Sequence, residues 1–286
     1  MTLGEWLNTW MELYVWPSSL AKSTKMGYNR SVRAVSASAL ASIQLQELTP
    51  LDLRRWLLCV AAETPRAAQL DRVMLSRSLR IAAKLGYCRA DLMDVELCPP
   101  IDHKAAKATI LTLPQLRVYM AAAAGTDVAP LLMLMCCGLR RGEAMGARWE
   151  NIDLQRGTLL VAGQRSTCDQ TELAPLKSAS ARRLVELPPE LLAVLRRWPR
   201  EFSGWVCSCG QHKLYTVHRQ LLADRRLPPI TLHGLRHSFA TAAAQGGVPI
   251  KVLQVALGHA RYQLTADLYA DHLPSICSVP RSIFTA

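Results

Sequence analysis

Residues 138–143 read Gly-Leu-Arg-Arg-Gly-Glu, and they directly follow an apolar run from Val128 to Cys137. The run predicts a buried helix, and Gly138 is a typical helix end, so Arg140 should lie just beyond that helix. A guanidinium fork in this position can bind a phosphate, and Glu143, three residues further on, can hold it in place. By itself the stretch also fits an ordinary Arg–Glu ion pair on the surface.

A second stretch, His-Gly-Leu-Arg-His at residues 233–237, lies at a predicted helix start. Residues three and four apart share a helix face, which brings His233, Arg236 and His237 together at the positive end of the helix. Anions bind at such ends, so the stretch favours a phosphate. The alternative is a metal site on the two histidines. However, Gly234 stands where a zinc-protease helix carries its glutamate, and no third ligand is apparent.

The third stretch, Leu-Gly-His at residues 257–259, is followed by Tyr269 ten residues after its histidine. Gly258 should end a helix that begins near Ile250, which leaves His259 at a turn. A lone tyrosine is usually a packing residue, and only its spacing from His259 singles out Tyr269.

Taken in order, these stretches resemble the motifs of the tyrosine recombinase, or phage integrase, family. Lys177 precedes a predicted strand, Arg182 to Leu187, and matches the lysine that the family carries in a hairpin. The resemblance covers about residues 110–272 through specific motifs and extends weakly over residues 1–95. It implies a set of catalytic residues and two supporting ones: Arg140, Lys177, His233, Arg236, His259 and Tyr269, supported by Glu143 and His237.

The resemblance also implies the reaction. Tyr269 attacks a scissile phosphodiester and forms a 3′-phosphotyrosyl link with a free 5′-hydroxyl, which conserves the bond energy so that rejoining needs no ATP. Arg140 and Arg236 bind the two non-bridging oxygens and stabilise the charge of the transition state. Two fixed cations make a metal unnecessary, and we expect neither a metal nor a cofactor.

The remaining residues hold or move protons in this scheme. Lys177 is the general acid for the leaving 5′-oxygen. His233 accepts the proton of the tyrosine, a task that suits an imidazole with a pKa near neutrality. His259 donates a hydrogen bond to the phosphate. Glu143 orients Arg140 or His233, and His237 is structural.

The chain has 286 residues, enough for two domains. Helical spacing and the Thr49-Pro50 helix start predict an all-helical domain over residues 1–95, which resembles the family's core-binding domain. Residues 96–109 follow neither the periodicity of a helix nor that of a strand, which predicts a linker. Residues 110–286 are the expected catalytic domain with its C-terminal tail.

We therefore expect a mainly α fold with a small antiparallel β-sheet in the catalytic domain, and the resemblance implies a two-domain clamp around DNA. Alternating side chains predict strands from Thr158 to Gly163 and from Arg182 to Leu187. A segment from Leu173 to Leu176 is the candidate partner of the second strand.

A formal net charge of +12 favours a polyanionic partner, with nucleic acid ahead of an anionic membrane. The longest apolar run is too short to span a bilayer, and no signal peptide follows Met1. Nine cysteines, mostly in apolar runs, indicate reduced side chains, so we expect a cytoplasmic protein. A zinc site is the less favoured alternative, because the spacing of its candidate ligands matches no standard motif. Those ligands are Cys207, Cys209, His212 and His218.

The resemblance implies double-stranded DNA, at an attachment or core site, as the partner of a homotetramer that assembles from monomers. An excisionase or a host DNA-bending protein is a further expected partner. No arm-binding domain is expected, because the chain begins directly with the helical domain. Gly234 replaces an aspartate of many relatives, which should be tolerated. Apolar residues among 270–286 predict that the tail docks on a neighbouring protomer, with folding back as the alternative.

Other functions fit the sequence less well. The motifs do not separate a phage integrase from a transposon recombinase or a chromosome-dimer resolvase. A DNA-binding regulator without catalysis would need neither Tyr269 nor Lys177. A metal-dependent nuclease would need clustered carboxylates, and Asp267 and Asp271 have no carboxylate partner in a motif. Tyr262 lies too close to the last motif to be the nucleophile.

Overall fold

The residues that the computed structural model describes are 1–101, 109–165, 173–174, 176 and 181–258. Two compact units divide the chain, Met1–Ala106 (unit 1) and Lys107–Ala286 (unit 2). Both are mainly helical, and the paired strands lie in unit 2. The predicted fold class, mainly α with a small antiparallel sheet, is confirmed.

The α-helices of unit 1 are α1 (Leu3–Trp10), α2 (Lys22–Ser36), α3 (Pro50–Glu63) and α4 (Pro65–Lys84). A π-helical turn (Met11–Val15) continues α1, and a 3-10 turn (Ala39–Ser42) follows α2. The predicted start of α3 is confirmed. The amide of Asp52 donates to Thr49 Oγ1 and the amide of Thr49 donates to Asp52 Oδ2, which satisfies free donors at the helix start.

The segment predicted as a linker begins inside unit 1. Cys98 and Ile101 are buried in the core of this unit. Arg72 donates two hydrogen bonds to the carbonyl of Cys98, and Gln69 donates one to the carbonyl of Ile101. Unit 1 therefore extends past residue 95, because these apolar side chains complete its core. The rest of the predicted linker up to residue 108 lies outside the described residues.

Within the described residues, the helices of unit 2 are α5 (Leu113–Ala123), α6 (Ala129–Cys136), α7 (Arg141–Met145), α8 (Pro189–Arg197), α9 (Gln211–Asp224), α10 (Leu232–Gln245) and α11 (Ile250–Leu257). The helix predicted in the apolar run is confirmed, and every residue of α6 is buried. Gly138, with φ +88°, follows it, and Gly258, with φ +63°, ends α11. Because glycine adopts positive φ without strain, both helices end where the sequence predicts. No described helix is long and apolar enough to cross a membrane.

The strands that the structure describes in unit 2 are β1 (Ile152–Asp153), β2 (Thr158–Val161), β3 (Gln164–Arg165), β4 (Leu173–Ala174) and β5 (Arg183–Glu186). A 3-10 turn (Trp149–Asn151) precedes β1. Strands β1, β2 and β5 form an antiparallel sheet in that order, with Leu159 opposite Val185 and Val161 opposite Arg183. Strands β3 and β4 form a separate antiparallel pair.

The predicted partner of the strand from Arg182 to Leu187 is therefore wrong. Leu173 pairs with Arg165 of β3, and β5 pairs with β2 instead. A Cβ on Gly163 would lie only 2.5 Å from Leu173 Cγ, so the glycine allows Leu173 to fold closely over β3. Alternation in sequence shows which side chains share a face, but it does not identify the neighbouring strand.

Candidate active site

Three parts of unit 2 bring the candidate residues together. Arg140 and Glu143 lie at the start of α7, directly after the end of α6. The first turns of α10 carry the second motif, and the end of α11 completes the cluster. Of the predicted site residues, Lys177, His259 and Tyr269 lie outside the described residues.

Arg140 and Glu143 form the predicted ion pair, with 2.6 Å between Nη1 and Oε1. The backbone amide of Arg140 also donates to Glu143 Oε2, at 2.9 Å. The Glu143 side chain is only 1 % exposed, whereas that of Arg140 is 30 % exposed. An ordinary surface ion pair is therefore excluded. The buried carboxylate of Glu143 anchors Arg140, whose side chain still reaches solvent.

Arg183 is a partner of Glu143 that the sequence analysis missed. Its Nη2 donates to Glu143 Oε2 at 2.9 Å, and its side chain is 3 % exposed. Arg183 occupies an inward position of β5, on the same face as Val185. A basic residue on the apolar face of an alternating strand was the available signal, since a buried charge needs an opposite charge nearby.

The surroundings of Glu143 decide its charge. Burial acts to raise the pKa of this carboxyl, but the hydrogen bond and charge of Arg183 and those of Arg140 outweigh burial and hold the pKa below its usual value. Arg236 adds a third positive charge, with its Nη1 3.8 Å from Glu143 Oε2. One carboxylate thus faces three guanidinium groups, and the cluster keeps an excess of positive charge that suits an anion.

Arg236 is buried, with a side chain 3 % exposed. Its Nη1 donates to the carbonyl of Gly138 at 2.8 Å, and its Nη2 donates to the carbonyl of Leu257 at 2.6 Å. Burial and the nearby Arg140 charge lower the pKa of Arg236 to about 9. A Cβ on Gly138 would lie 2.7 Å from the ring of Phe239, so only glycine lets the end of α6 approach α10 this closely.

The two histidines of the second motif pack edge to face, with ring centroids 4.6 Å apart. Burial, followed by the charges of His237 and the surrounding arginines, lowers the pKa of His233 to about 4. This differs from the near-neutral pKa expected from the sequence, because the cations that prepare the site for an anion also disfavour a protonated imidazole. His233 is therefore neutral at pH 7, and the same low pKa makes it a weak proton acceptor while no anion is bound.

Residues outside the arginine cluster position the start of α10. Thr231 caps the helix, with the amide of Gly234 donating to its Oγ1 at 3.1 Å. A Cβ on Gly234 would lie 3.0 Å from the Cβ of Ile230, so the side chain of Ile230 occupies the space beside the glycine. A larger side chain at residue 234 would therefore have to displace Ile230.

His218 is not a candidate zinc ligand. Its Nδ1 lies 2.7 Å from Tyr119 Oη and its Nε2 lies 2.9 Å from the carbonyl of Ile230. Because the carbonyl can only accept, Nε2 carries the proton and Nδ1 accepts from the tyrosine. Both ring nitrogens are engaged, and burial lowers the pKa of this imidazole. Among the described residues, no three His, Cys, Asp or Glu side chains are grouped to hold a metal ion.

A family model described as "Phage integrase family" matches residues 110–275. Among curated proteins, tyrosine recombinase XerD of Neisseria meningitidis serogroup A is 29 % identical over 143 residues, which cover 49 % of this chain and 48 % of that protein. Prophage integrase IntF of Escherichia coli K12 is 27 % identical over 243 residues, 78 % of this chain and 49 % of that protein. The matches thus span about half the length of these curated relatives.

Solved structures with the same fold include integrases bound to DNA. The Tn1549 transposon integrase with a circular intermediate DNA has a TM-score of 0.79 at 18 % identity, covering 94 % of this chain and 95 % of that one. A lambda integrase dimer bound to a COC′ core site has a TM-score of 0.75 at 16 % identity, covering 98 % and 99 %. These similarities establish the fold.

Proposed function

The chain belongs to the phage integrase family, and on this basis we propose that it is a site-specific DNA recombinase. It cuts and rejoins duplex DNA through a 3′-phosphotyrosyl intermediate, with Tyr269 as the nucleophile. The assignment of Tyr269 rests on its position after the Leu-Gly-His motif. The proposed biological setting is cytoplasmic integration or excision of a mobile element, in line with the prophage and transposon integrases that it resembles.

The observation that carries the proposal is the arginine cluster around Glu143. A phosphodiester undergoing attack gains negative charge on its non-bridging oxygens, and preorganised guanidinium groups stabilise that charge without reorganising. Arg140 is anchored by Glu143 yet partly exposed, so it is placed to bind one oxygen. Each Nη of Arg236 carries a second N–H besides the one that bonds a carbonyl, and these can bind the other oxygen.

His233 is the proposed proton acceptor for the nucleophile. It is neutral above a pKa of about 4 in the described cluster, so the base form is present at working pH. A bound phosphodiester adds a negative charge that offsets the surrounding cations, and this raises the affinity of the imidazole for a proton. Lys177 as general acid and His259 as a hydrogen-bond donor complete the proposed set. His237, packed edge to face on His233, supports the ring.

The proposed partners are duplex DNA and further copies of this chain. A net charge of +12 favours DNA binding with strong salt dependence. One solved neighbour is a lambda integrase tetramer bound to a Holliday junction, and we propose the same assembly here because exchange between two duplexes requires four strand breaks. An excisionase or a DNA-bending protein would set the direction of the reaction.

The nucleophile can be tested with DNA of random sequence. The full chain is incubated with a pool of nicked duplexes of randomised sequence, and DNA that survives an SDS wash is recovered and sequenced. We expect the native chain to capture an enriched sequence covalently, Tyr262→Phe to capture it as well, and Tyr269→Phe to capture none while still binding it in a gel shift. Undiminished capture by Tyr269→Phe, or no capture by the native chain, would contradict the proposal.

A further inference from the structure

Three arginines from three different elements hold the end of α11. Arg183 donates to the carbonyl of Ala256 at 2.7 Å, Arg236 to that of Leu257 at 2.6 Å and Arg140 to that of Gly258 at 2.9 Å. These carbonyls belong to the last turn of the helix and to the glycine that ends it, where no amide of the helix itself is available to bond them. Positive charge is also favourable at this end of a helix dipole.

Arg183 differs from the partly exposed Arg140 because its side chain is buried and its hydrogen bonds all point inward. Besides Ala256, its guanidinium donates to Glu143 Oε2 at 2.9 Å and to the carbonyl of Ala181 at 3.0 Å. A Cβ on Gly258 would lie 2.9 Å from Arg183 Nη1, so the glycine that ends α11 packs directly against this group. All three nitrogens of Arg183 are thus committed within unit 2, whereas the guanidinium of Arg140 still reaches solvent.

We propose that Arg183 is a positioning residue that fastens the end of α11 to Glu143. Arg183 and Arg140 share the two oxygens of Glu143, and each also holds α11. The carboxylate, the exposed arginine and the helix end therefore form one connected unit. Since His259 follows Gly258 directly in the chain, the same fastening fixes the point from which the chain continues towards His259 and Tyr269.

The shape of guanidinium makes this role specific. Its planar fork donates in three directions at once, which lets Arg183 bond the Glu143 carboxylate and two carbonyls together. A lysine at this position keeps the charge but has one nitrogen on a flexible stem, so it cannot hold β5, α7 and α11 in one geometry. The proposal thus predicts a partial defect for lysine and a larger defect for an uncharged residue.

The kinetic test rests on the proposed function and compares Arg183→Gln, Arg183→Lys and a matched control, Arg165→Lys. As whole residues, Arg165 and Arg183 are both 7 % exposed, but the Arg165 guanidinium lies over Trp205, 5.0 Å from the ring centroid. Single-turnover covalent capture is measured with saturating amounts of the DNA selected above. We expect Arg183→Gln to lower the rate constant about 10- to 100-fold, as expected for loss of a group that orients a site residue. Arg183→Lys should be intermediate and the control unchanged.

Two further readouts separate positioning from other roles. Partial unfolding lowers the amplitude of capture but not its rate constant, and loss of a direct DNA contact lowers binding affinity. We expect the Kd for DNA to stay within about twofold for both Arg183 variants, since the side chain is buried. A rate constant that stays native, or a Kd that rises in parallel with the loss of rate, would overturn the proposal.

A third measurement does not depend on the reaction. Hydrogen–deuterium exchange of the full chain without DNA should be faster in Arg183→Gln at residues 250–258, and unchanged at residues 211–224 in α9. The control Arg165→Lys should leave the exchange of residues 250–258 unaltered. If the native chain captures no DNA, the proposed function fails, and this measurement still decides the role of Arg183. Unchanged exchange of α11 in Arg183→Gln would refute it.

Discussion

Asp71 in unit 1 and Glu143 in unit 2 are both buried carboxylates, 4 % and 2 % exposed. Burial raises the pKa of Asp71, and neither the neighbouring Ser31 side chain nor the charge of Arg30 outweighs it. At Glu143 burial acts in the same direction, but its arginine partners reverse the result and lower the pKa. The two carboxyls are therefore similar in burial and opposite in their preference for a proton.

The comparison of these two carboxyls shows how to recognise a buried charge that supports a binding site. At Asp71 the cost of burying the charged form exceeds what Ser31 and Arg30 offset, so the pKa is raised. Glu143 is kept ionised by groups that are themselves held in place by carbonyls of α6 and α11. A protein maintains such an arrangement at a cost in desolvation, and here the result is a largely buried cluster with an excess of positive charge that suits a phosphate.

The largest effect is expected when each carboxylate is removed. Glu143→Ala should destabilise unit 2 by about 3–5 kcal/mol, because it leaves the buried Arg183 guanidinium without its charged partner. Asp71→Ala should destabilise unit 1 by about 1–3 kcal/mol, the range for loss of a buried polar partner. Urea unfolding followed by hydrogen exchange of peptides from each unit reads the two effects separately. Equal losses of unfolding free energy in the two units would contradict the predicted difference between Asp71 and Glu143.

A smaller effect is expected at two glycines with positive φ, one in each unit. Gly86, which follows α4, has φ +77° and open space where a Cβ would lie, whereas Gly138 has φ +88° and Phe239 at 2.7 Å. Gly86→Ala should therefore cost about 1–2 kcal/mol for the left-handed backbone alone. Gly138→Ala should cost about 1–3 kcal/mol more from overpacking, and it displaces a carbonyl that holds Arg236.

The measurement is thermal unfolding of both variants together with covalent capture of DNA. Only Gly138→Ala should slow the capture reaction, since Gly86 lies in unit 1, outside the unit that forms the cluster. Equal stability of the two variants would show that α10 shifts freely to accept the extra methyl group.

The smallest effect is a change in the pH dependence of stability. The raised pKa of Asp71 means that the folded state binds its proton more tightly than the unfolded state, so its contribution falls as pH rises from about 4 through the folded pKa. The lowered pKa of Glu143 has the opposite sign, and its contribution is lost as pH falls below about 4 through the folded pKa. The two units should thus respond to acid in opposite directions.

Isosteric amides test this prediction. Asp71→Asn should flatten the stability of unit 1 above about pH 4 and cost little at low pH, where the native carboxyl is already neutral. Glu143→Gln should remove the acid-dependent loss from unit 2. Unfolding midpoints are measured from about pH 3 to pH 8 by the exchange method used for the alanine variants. An unchanged pH profile of unit 1 in Asp71→Asn would show that folding does not raise the pKa of Asp71.

Local signals predicted much of the fold. The Thr49-Pro50 pair marked the start of α3, and Gly138 and Gly258 marked the ends of α6 and α11. The ion pair between Arg140 and Glu143 was also predictable, because a spacing of three residues at a helix start brings the two side chains together. These features depend on neighbours in sequence, so backbone geometry alone decides them.

Features that join distant segments were not predictable from such signals. They include the pairing of β4 with β3 rather than β5, the packing of residues 96–101 on unit 1 and the contact of Arg183 with Glu143. Each depends on which surfaces meet when the elements pack. Neither the alternation of side chains along a strand nor a break in helical periodicity identifies the packing partner.

The sequence alone supplied the ordered motifs, the start of α3, the ends of α6 and α11 and the excess of positive charge, all of which follow from residue types and short spacings. Tertiary packing decided how those charges are used. It buried Glu143 among arginines from α7, β5 and α10, and it lowered the pKa of His233 far below the value of a free imidazole. The physical reason is that desolvation and Coulomb interactions depend on distances in space, which residues far apart in the chain acquire only after folding.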